Sequence, residues 1–285
     1  MNKTSEIAAF LIDDPKRFLQ VSSAHWVSRF RKIPAGLVQK RVNGLQFEYD
    51  FGNGFHPNLK RMYLGTYEPL VVAAMQRIVR PGDTFLDVGA SIGFMTMIAA
   101  GLVEKSGQVH SFEPNPQDYE KLEKFRSLNP GHQIVCHPLA CGEKPGEAPL
   151  DLSSVLGWNT LVPNFMRKDV WKDRVKVPMI RLDDYLREQG EKLGKISMIK
   201  IDTEGYELFV LKGLRDFFEK GRDRPAIICE VTPRVNELMN ISPNELEDYM
   251  THYGYSAYRL WDRRTKIRVS RLTKQADVLF LPDPR

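Results

Sequence analysis

The stretch Phe85–Gly93, FLDVGASIG, closes an apolar run with an aspartate and a glycine-rich turn. Thr84, Phe85, Leu86 and Val88 favour a strand, Gly89 and Gly93 bracket the turn, and Ile92–Ala100 is apolar enough for a buried helix. Strand, glycine turn and helix N-terminus in that order make a nucleotide pocket. The spacing Gly89-x-x-x-Gly93 departs from the G-x-G-x-x-G that lets a backbone approach a pyrophosphate. Asp87 weighs further against pyrophosphate, because like charges about 4 Å apart at an effective dielectric near ~20 repel by roughly 4 kcal/mol. The same carboxylate attracts an ammonium group, while amides of Gly89, Ala90 and Ser91 at the helix start suit a carboxylate. S-adenosylmethionine carries both groups beside its sulfonium, so the stretch points to a methyl donor. The plainer reading is an aspartate that only caps its own turn.

Downstream, Gln108–Glu113 reads as a second strand ending in an acid 24 residues beyond Gly89. A carboxylate at about that distance can accept both hydroxyls of an adenosine ribose. Pro114 leads to Asn115 and Pro116, which suit the N-cap and first residue of a helix running to about Leu128. Without that context Glu113 would be a surface acid at a strand end.

Around this pair, strands and helices alternate: Thr84–Val88, Ile92–Val103, Gln108–Phe112, Pro116–Leu128 and Gln133–Pro138. The rhythm resumes with Arg181–Glu188, Ile196–Ile201, Gly205–Phe218 and Ala226–Val231, then a helix at Pro243–His252 and strands at Tyr255–Leu260 and Ala276–Leu281. Such alternation predicts a parallel sheet with crossover helices, an α/β fold. Ahead of it, Asn43-Gly44 signals a hairpin between Val38–Val42 and Leu45–Asp50, and Pro69 opens a helix to about Val79. Ser5–Gln20 suggests two short helices, so residues 1–64 form an expected N-terminal segment and 65–285 the main domain. Glu143–Lys172 breaks the rhythm with glycine, proline and three large aromatics. It reads as a lid or substrate loop, with Trp158 and Asn159 as acceptor contacts, or else as an insertion over a sheet edge.

Ser197–Glu207, SMIKIDTEGYE, places Ile199 and Ile201 on one face of a strand and Lys200 and Asp202 on the other. A lysine in a covered strand needs a partner, and Asp202 is the nearest opposite charge. Ligands of open parallel sheets bind beyond the carboxyl ends of the strands, where Asp202, Thr203 and Glu204 emerge. Methyl transfer is an in-line displacement, so an alcohol acceptor must be aligned and deprotonated. Asp202 is the leading candidate for base or orienter. Lys200 tunes it, or takes the proton if desolvation lowers its pKa. Glu204 and Glu230 complete an acidic acceptor pocket or hold a divalent cation. For Glu207, stabilisation at a helix N-terminus is the better reading.

The chain resembles the FkbM family of S-adenosylmethionine-dependent methyltransferases from about Gly65 to Pro282. The resemblance is carried by LGTYEP at Leu64–Pro69, FLDVGASIGFMT at Phe85–Thr96, SFEPNP at Ser111–Pro116, LDDYL at Leu182–Leu186 and MIKIDTEGYE at Met198–Glu207. It implies a Rossmann-like class I methyltransferase fold, seven-stranded and mostly parallel with an antiparallel final strand and helices on both faces. It also implies S-adenosylmethionine as cofactor and O-methylation of sugars, polyketides or glycolipids. By that similarity Tyr67 and Glu68 close over the donor, and Leu139 and Ala140 border the adenine. Ser91 stands where the family pattern usually has asparagine, and both residues can accept at an N-cap.

Composition narrows the remaining classes. With 42% hydrophobic and 27% charged residues in 285, the chain has the makeup of a globular protein, and its apolar runs fall short of the roughly 18 residues of a membrane span. Acids follow the short apolar patch near the N-terminus, which argues against a secretory signal and for a cytoplasmic location. Three cysteines and six histidines show neither a disulfide framework nor zinc-ligand spacing. Arg259–Lys274 holds seven basic residues against Asp262 alone. That run is a solvated face or, under a different function, an RNA-methylating surface, although it lacks the interleaved aromatics of a single-strand binder. A nicotinamide-dependent oxidoreductase is disfavoured by Asp87 and by the missing middle glycine of the turn. A non-catalytic protein that only binds the donor would share the glycine turn and Glu113 but would not need Asp202. DNA is not an expected partner.

Overall fold

A computed structural model describes residues 33–52, 57–220 and 223–284; the expected helices of Ser5–Gln20 lie outside the described residues. Strands β1 (Leu37–Val42) and β2 (Leu45–Asp50) form the predicted hairpin. Asn43 and Gly44 both have positive φ, as a two-residue primed turn requires. Helices α1 (Pro57–Leu64) and α2 (Pro69–Ile78) follow.

The main sheet is built from β3 (Thr84–Val88), β4 (Gln108–Phe112), β5 (Gln133–His137), β9 (Ile196–Ile201), β10 (Ala226–Val231), β11 (Tyr255–Arg259) and β12 (Ala276–Pro282). Their order is β11-β12-β10-β9-β3-β4-β5, and β12 alone runs antiparallel to its neighbours. This is the expected seven-stranded, mostly parallel Rossmann-like sheet. Crossovers are made by α3 (Phe94–Val103), α4 (Pro116–Leu128), α5 (Leu182–Gln189), α6 (Glu207–Lys212) and α7 (Arg215–Lys220). Helices α8 (Arg234–Leu238) and α9 (Glu245–His252) lie between β10 and β11.

Because side chains alternate across a strand, the sheet supports one core on each face. Phe85, Val109, Met198, Ile228 and Leu279 join the helices of one face, whereas Leu86, Val88, Phe112, Ile199, Ile201 and Phe280 join those of the other. The hairpin belongs to the first core. Leu45, Phe47 and Tyr49 are buried in it, with the Phe47 ring 5.5 Å from that of Phe125 on α4 and 6.3 Å from that of Phe94 on α3. Asn129 clamps the hairpin, accepting from Gln46 N and donating to Gln46 O, each at 2.8 Å. The division at residue 64 thus marks where the family resemblance begins, while the core runs across it.

Two sequence expectations are corrected. Glu143–Lys172 is not one long loop: β7 (Gly146–Ser153) pairs antiparallel with β8 (Trp171–Ile180), and the short β6 (Ala140–Cys141) completes a three-stranded sheet. Ala148, Leu150 and Leu152 turn inward with period two, a pattern obscured by the surrounding Gly, Pro and charges. Gly205–Phe218 is two short helices, broken at Gly213, where a Cβ would stand 2.3 Å from the Gly142 carbonyl oxygen.

Candidate active site

β3 lies at the point where the connections switch direction, with β4 and β5 on one side and β9 and β10 on the other. The carboxyl ends of β3 and β9 open a crevice there. The turn after β3 is held by Phe112 O, which accepts from Gly89 N and Ala90 N at 3.0 Å each. Gly89 has φ +81°, and a Cβ on it would meet the Asp202 carbonyl oxygen at 1.8 Å, so only glycine lets the two strand ends meet. Glu113 ties the next turn to this one, accepting from Ser91 N at 2.7 Å and Asn115 N at 2.8 Å. Asn115 caps α4 as expected, accepting from Gln117 N at 3.1 Å.

Asp87 and Lys200 are direct neighbours in the β3–β9 register and share the face that carries α3. Lys200 Nζ donates to Asp202 Oδ2 at 2.7 Å with its side chain only 3% exposed. Burial works to lower the Lys200 pKa, but Asp202, Asp87 and Glu68 outweigh it and hold the pKa above its ordinary value. The neutral lysine that desolvation alone would produce is therefore not found. Asp87 is fully enclosed; its Oδ2 accepts from Thr96 Oγ1 at 2.6 Å and its Oδ1 has no hydrogen-bond partner among the described residues. Burial raises its pKa, partly offset by Lys200.

Two cavities meet over these strand ends. The larger, about 530 Å³, takes in Tyr67, Glu68, Ala90, Trp158, Lys200 and Glu230. The smaller, about 40 Å³, is bordered by Glu113, Pro114, Leu139, Ala140, Leu150 and Asn159. Gly89, Ser91, Gly157, Asp202 and Glu204 line both. Trp158 and Glu230, expected at the acceptor, stand in the larger cavity, whereas Asn159 faces the smaller one beside Glu113. Asn159 Nδ2 donates to Asp118 Oδ2 at 3.0 Å, and Thr160 Oγ1 donates to Glu204 O at 2.7 Å. Residues 154–170 are thereby pinned across the mouth of β9. Asp87, Gly93 and Asn115 line neither cavity; Gly93, at φ +87°, opens α3 against Leu122, where a Cβ would meet Leu122 Cδ1 at 2.8 Å.

A family model described as the methyltransferase FkbM domain matches residues 87–257, from Asp87 to Ala257 and well over half of the chain. The chain belongs to the FkbM methyltransferase family. Among relatives, methyltransferase sdnD of Sordaria araneosa is 30% identical over 161 residues, covering 47% of this chain and 61% of its own. Hexuronic acid methyltransferase AglP of Haloferax volcanii is 30% identical over 132 residues, covering 46% and 50%. The 31-O-demethyl-FK506 methyltransferase FkbM of Streptomyces tacrolimicus is 28% identical over 172 residues, covering 48% and 62%. The matches span about half to three fifths of these relatives.

Acids crowd the larger cavity. One carboxylate oxygen each from Asp202, Glu204 and Glu230 lies within 4.8 Å of the others, close enough to share a cation. Burial first, then Asp202 and Glu207, pushes Glu204 up to about 9, and burial followed by Asp202 and Glu204 raises Glu230 well above the carboxylate range. Glu68 Oε2 and Glu230 Oε2 are buried without hydrogen-bond partners among the described residues. Glu207 stays apart from this work. Its Oε1 accepts from Thr203 N, Thr203 Oγ1 and Gly205 N at 2.9, 3.2 and 3.0 Å, knitting the turn after β9.

Sequence reasoning missed Asp277, which faces Glu230 in the β10–β12 register and is pushed up to about 7 by burial. Its signal was an acid one residue into an apolar strand, but only the antiparallel pairing brings it to the cavity. Arg61 and Gln275 line the same space without any local signature.

Proposed function

We propose that the chain is an S-adenosylmethionine-dependent O-methyltransferase that methylates a hydroxyl of a sugar, glycolipid, polyketide or similar small molecule. The observation that carries this reading is the meeting of the two cavities at Gly89, Ser91, Asp202 and Glu204. Glu113, Pro114, Leu139 and Ala140 would hold the nucleoside of the donor; Glu68, Gly89, Ala90 and Ser91 would hold its amino-acid end. The residues fit that group. Among the described residues the buried oxygens Glu68 Oε2 and Ser91 Oγ lack partners and suit an ammonium, and the turn beside them is open backbone. Asp87, enclosed behind the turn, adds negative potential at that end, and its own Oδ1 is likewise unpartnered. When bound, this donor supplies an electrophilic methyl group on a sulfonium.

The chain's own residues then have separable tasks. Asp202 receives the acceptor's hydroxyl proton as that oxygen takes the methyl group. Lys200, held protonated by its three carboxylates, orients Asp202 and has no free site for that proton. Glu204, protonated at neutral pH, donates a hydrogen bond that positions the acceptor. Trp158 and Tyr67 exclude water from the larger cavity. Relatives named for hexuronic acid and for 31-O-demethyl-FK506 support an oxygen acceptor on a sugar or polyketide.

The test combines binding with transfer. Calorimetry should show wild type and Asp202→Asn binding S-adenosylhomocysteine alike, while the variant loses methyl transfer by about 10²- to 10⁴-fold. Absence of binding to the donor and its demethylated product would refute the reading. Labelled methyl groups should enter fractionated glycolipid or small-molecule pools and persist after ribonuclease treatment; label confined to RNA would transfer the assignment to RNA.

A further inference from the structure

A third cavity, of about 350 Å³, adjoins the acidic one. Trp158, Glu204 and Gln275 border both spaces. Beyond that border the chemistry reverses. The walls are Phe165, Met166 and Val170 from the pinned segment, facing Thr232 and Pro233 at the end of β10. Among the described residues Glu204 is the one acid in the lining, whereas Arg167, Arg234 and Lys274 are all present. Arg167 is committed to Asp169, with Nε to Oδ1 at 3.0 Å. The Arg234 guanidinium lies over the Phe165 ring at 5.7 Å from its centroid, and among the described residues neither Arg234 nor Lys274 has an acid within ion-pair distance. Thr232 Oγ1 is buried in the same lining without a hydrogen-bond partner among the described residues. Trp158 at the border remains 47% exposed, an uncovered aromatic surface beside an apolar hollow.

We propose that this third cavity is an acceptor subsite that takes an apolar part of the methyl acceptor bearing an anionic group. The inference rests on the methyl-transfer reading and specifies its substrate: an amphiphile whose reacting hydroxyl sits on an uncharged or cationic portion and whose negative charge lies across an apolar segment. With Glu204 protonated and Lys200 paired to Asp202, the larger cavity holds little net charge, whereas Arg234 and Lys274 make the third cavity cationic, so an anionic end is drawn to the third. Phe165, Met166 and Val170 supply the affinity by removing apolar surface from water, and Arg234 and Lys274 supply the orientation.

Calorimetry with three eight-carbon probes tests this independently of turnover: octyl phosphate, octanoate and octyltrimethylammonium, each below its micelle concentration and with S-adenosylhomocysteine present. The two anions should bind about ten-fold more tightly than the cation, the size expected of two solvent-exposed charge pairs acting in opposite senses. Whichever anion binds better names a phosphate or a carboxylate source. The double variant Arg234→Glu/Lys274→Glu should erase that preference, and Phe165→Ala should weaken all three probes by about five-fold. Unchanged affinity for S-adenosylhomocysteine shows that the variants remain folded. Equal binding of the three probes, or indifference to the variants, overturns the subsite while leaving methyl transfer intact. Binding of octyl phosphate without binding of S-adenosylhomocysteine overturns the methyl-transfer reading and the acceptor assignment with it.

Discussion

Lys200 is a buried cation whose ordinary cost is met by three carboxylates from three separate segments: Asp202, Asp87 and Glu68. Burial raises the pKa of Asp87 and Glu68, the Lys200 charge partly offsets that rise, and the lysine keeps its proton. Glu204 gives the clearest measurable consequence. Its folded pKa is about 9 against an ordinary 4.5, so the folded state holds a proton that the unfolded state releases. The stability it contributes is complete below about pH 4.5 and is lost as pH rises to about 9. Glu113, raised to about 8, and Glu207 and Asp277, each raised to about 7, act in the same sense. His110 and His137, both lowered to about 4 by burial, oppose them only below about 6.5. Thermal melts from pH 5 to 9 should therefore show a falling Tm, and Glu204→Gln should flatten that fall, gaining stability at pH 9 relative to wild type. A parallel pH profile for the variant would refute the assignment.

At the scale of elements, the meeting of β3 with β9 is the critical contact. Gly89→Ala would drive a Cβ into the Asp202 carbonyl at 1.8 Å, at a φ that L-residues rarely adopt. The strand ends must then part, with an expected cost of about 3 kcal/mol or more and loss of S-adenosylhomocysteine binding; a denaturant titration and calorimetry read both. The strands flanking this contact were legible because each is a short apolar run with a turn signal at its end: β3, β4, β9 and β10 begin and end where their residues predict. Strands β7 and β8 were not. β8 alternates Val175 and Val177 with Arg174, Lys176 and Pro178, so its apolar face appears only against β7. Likewise a continuous helix from Gly205 to Phe218 was expected from periodicity, and the approach of Gly142 to Gly213 breaks it.

For the whole molecule, the hairpin and the sheet are one folding unit. Phe47 is 2% exposed and packs on α3 and α4, far from it in sequence. Phe47→Ala should cost about 3–5 kcal/mol and lower the stability of the entire chain in one transition. A separate early transition for the hairpin, seen by two spectroscopic probes, would show that the core divides. Among the described residues no helix is long and apolar enough to cross a membrane.

The sequence by itself determined the alternating sheet, the two turns at Gly89 and Glu113, and the Lys200–Asp202 pair. Those features are local, since a strand, a turn and a side-chain face are set by residues within a few positions of one another. Tertiary structure decided what surrounds them. It enclosed Asp87 behind the turn and set Asn159 in the smaller cavity beside Glu113. It brought Asp277 to the acids through an antiparallel strand. It also set Phe165 and Arg234 together beside Trp158. None of these is written in spacing, because burial and charge environment depend on which distant strands and loops share a space.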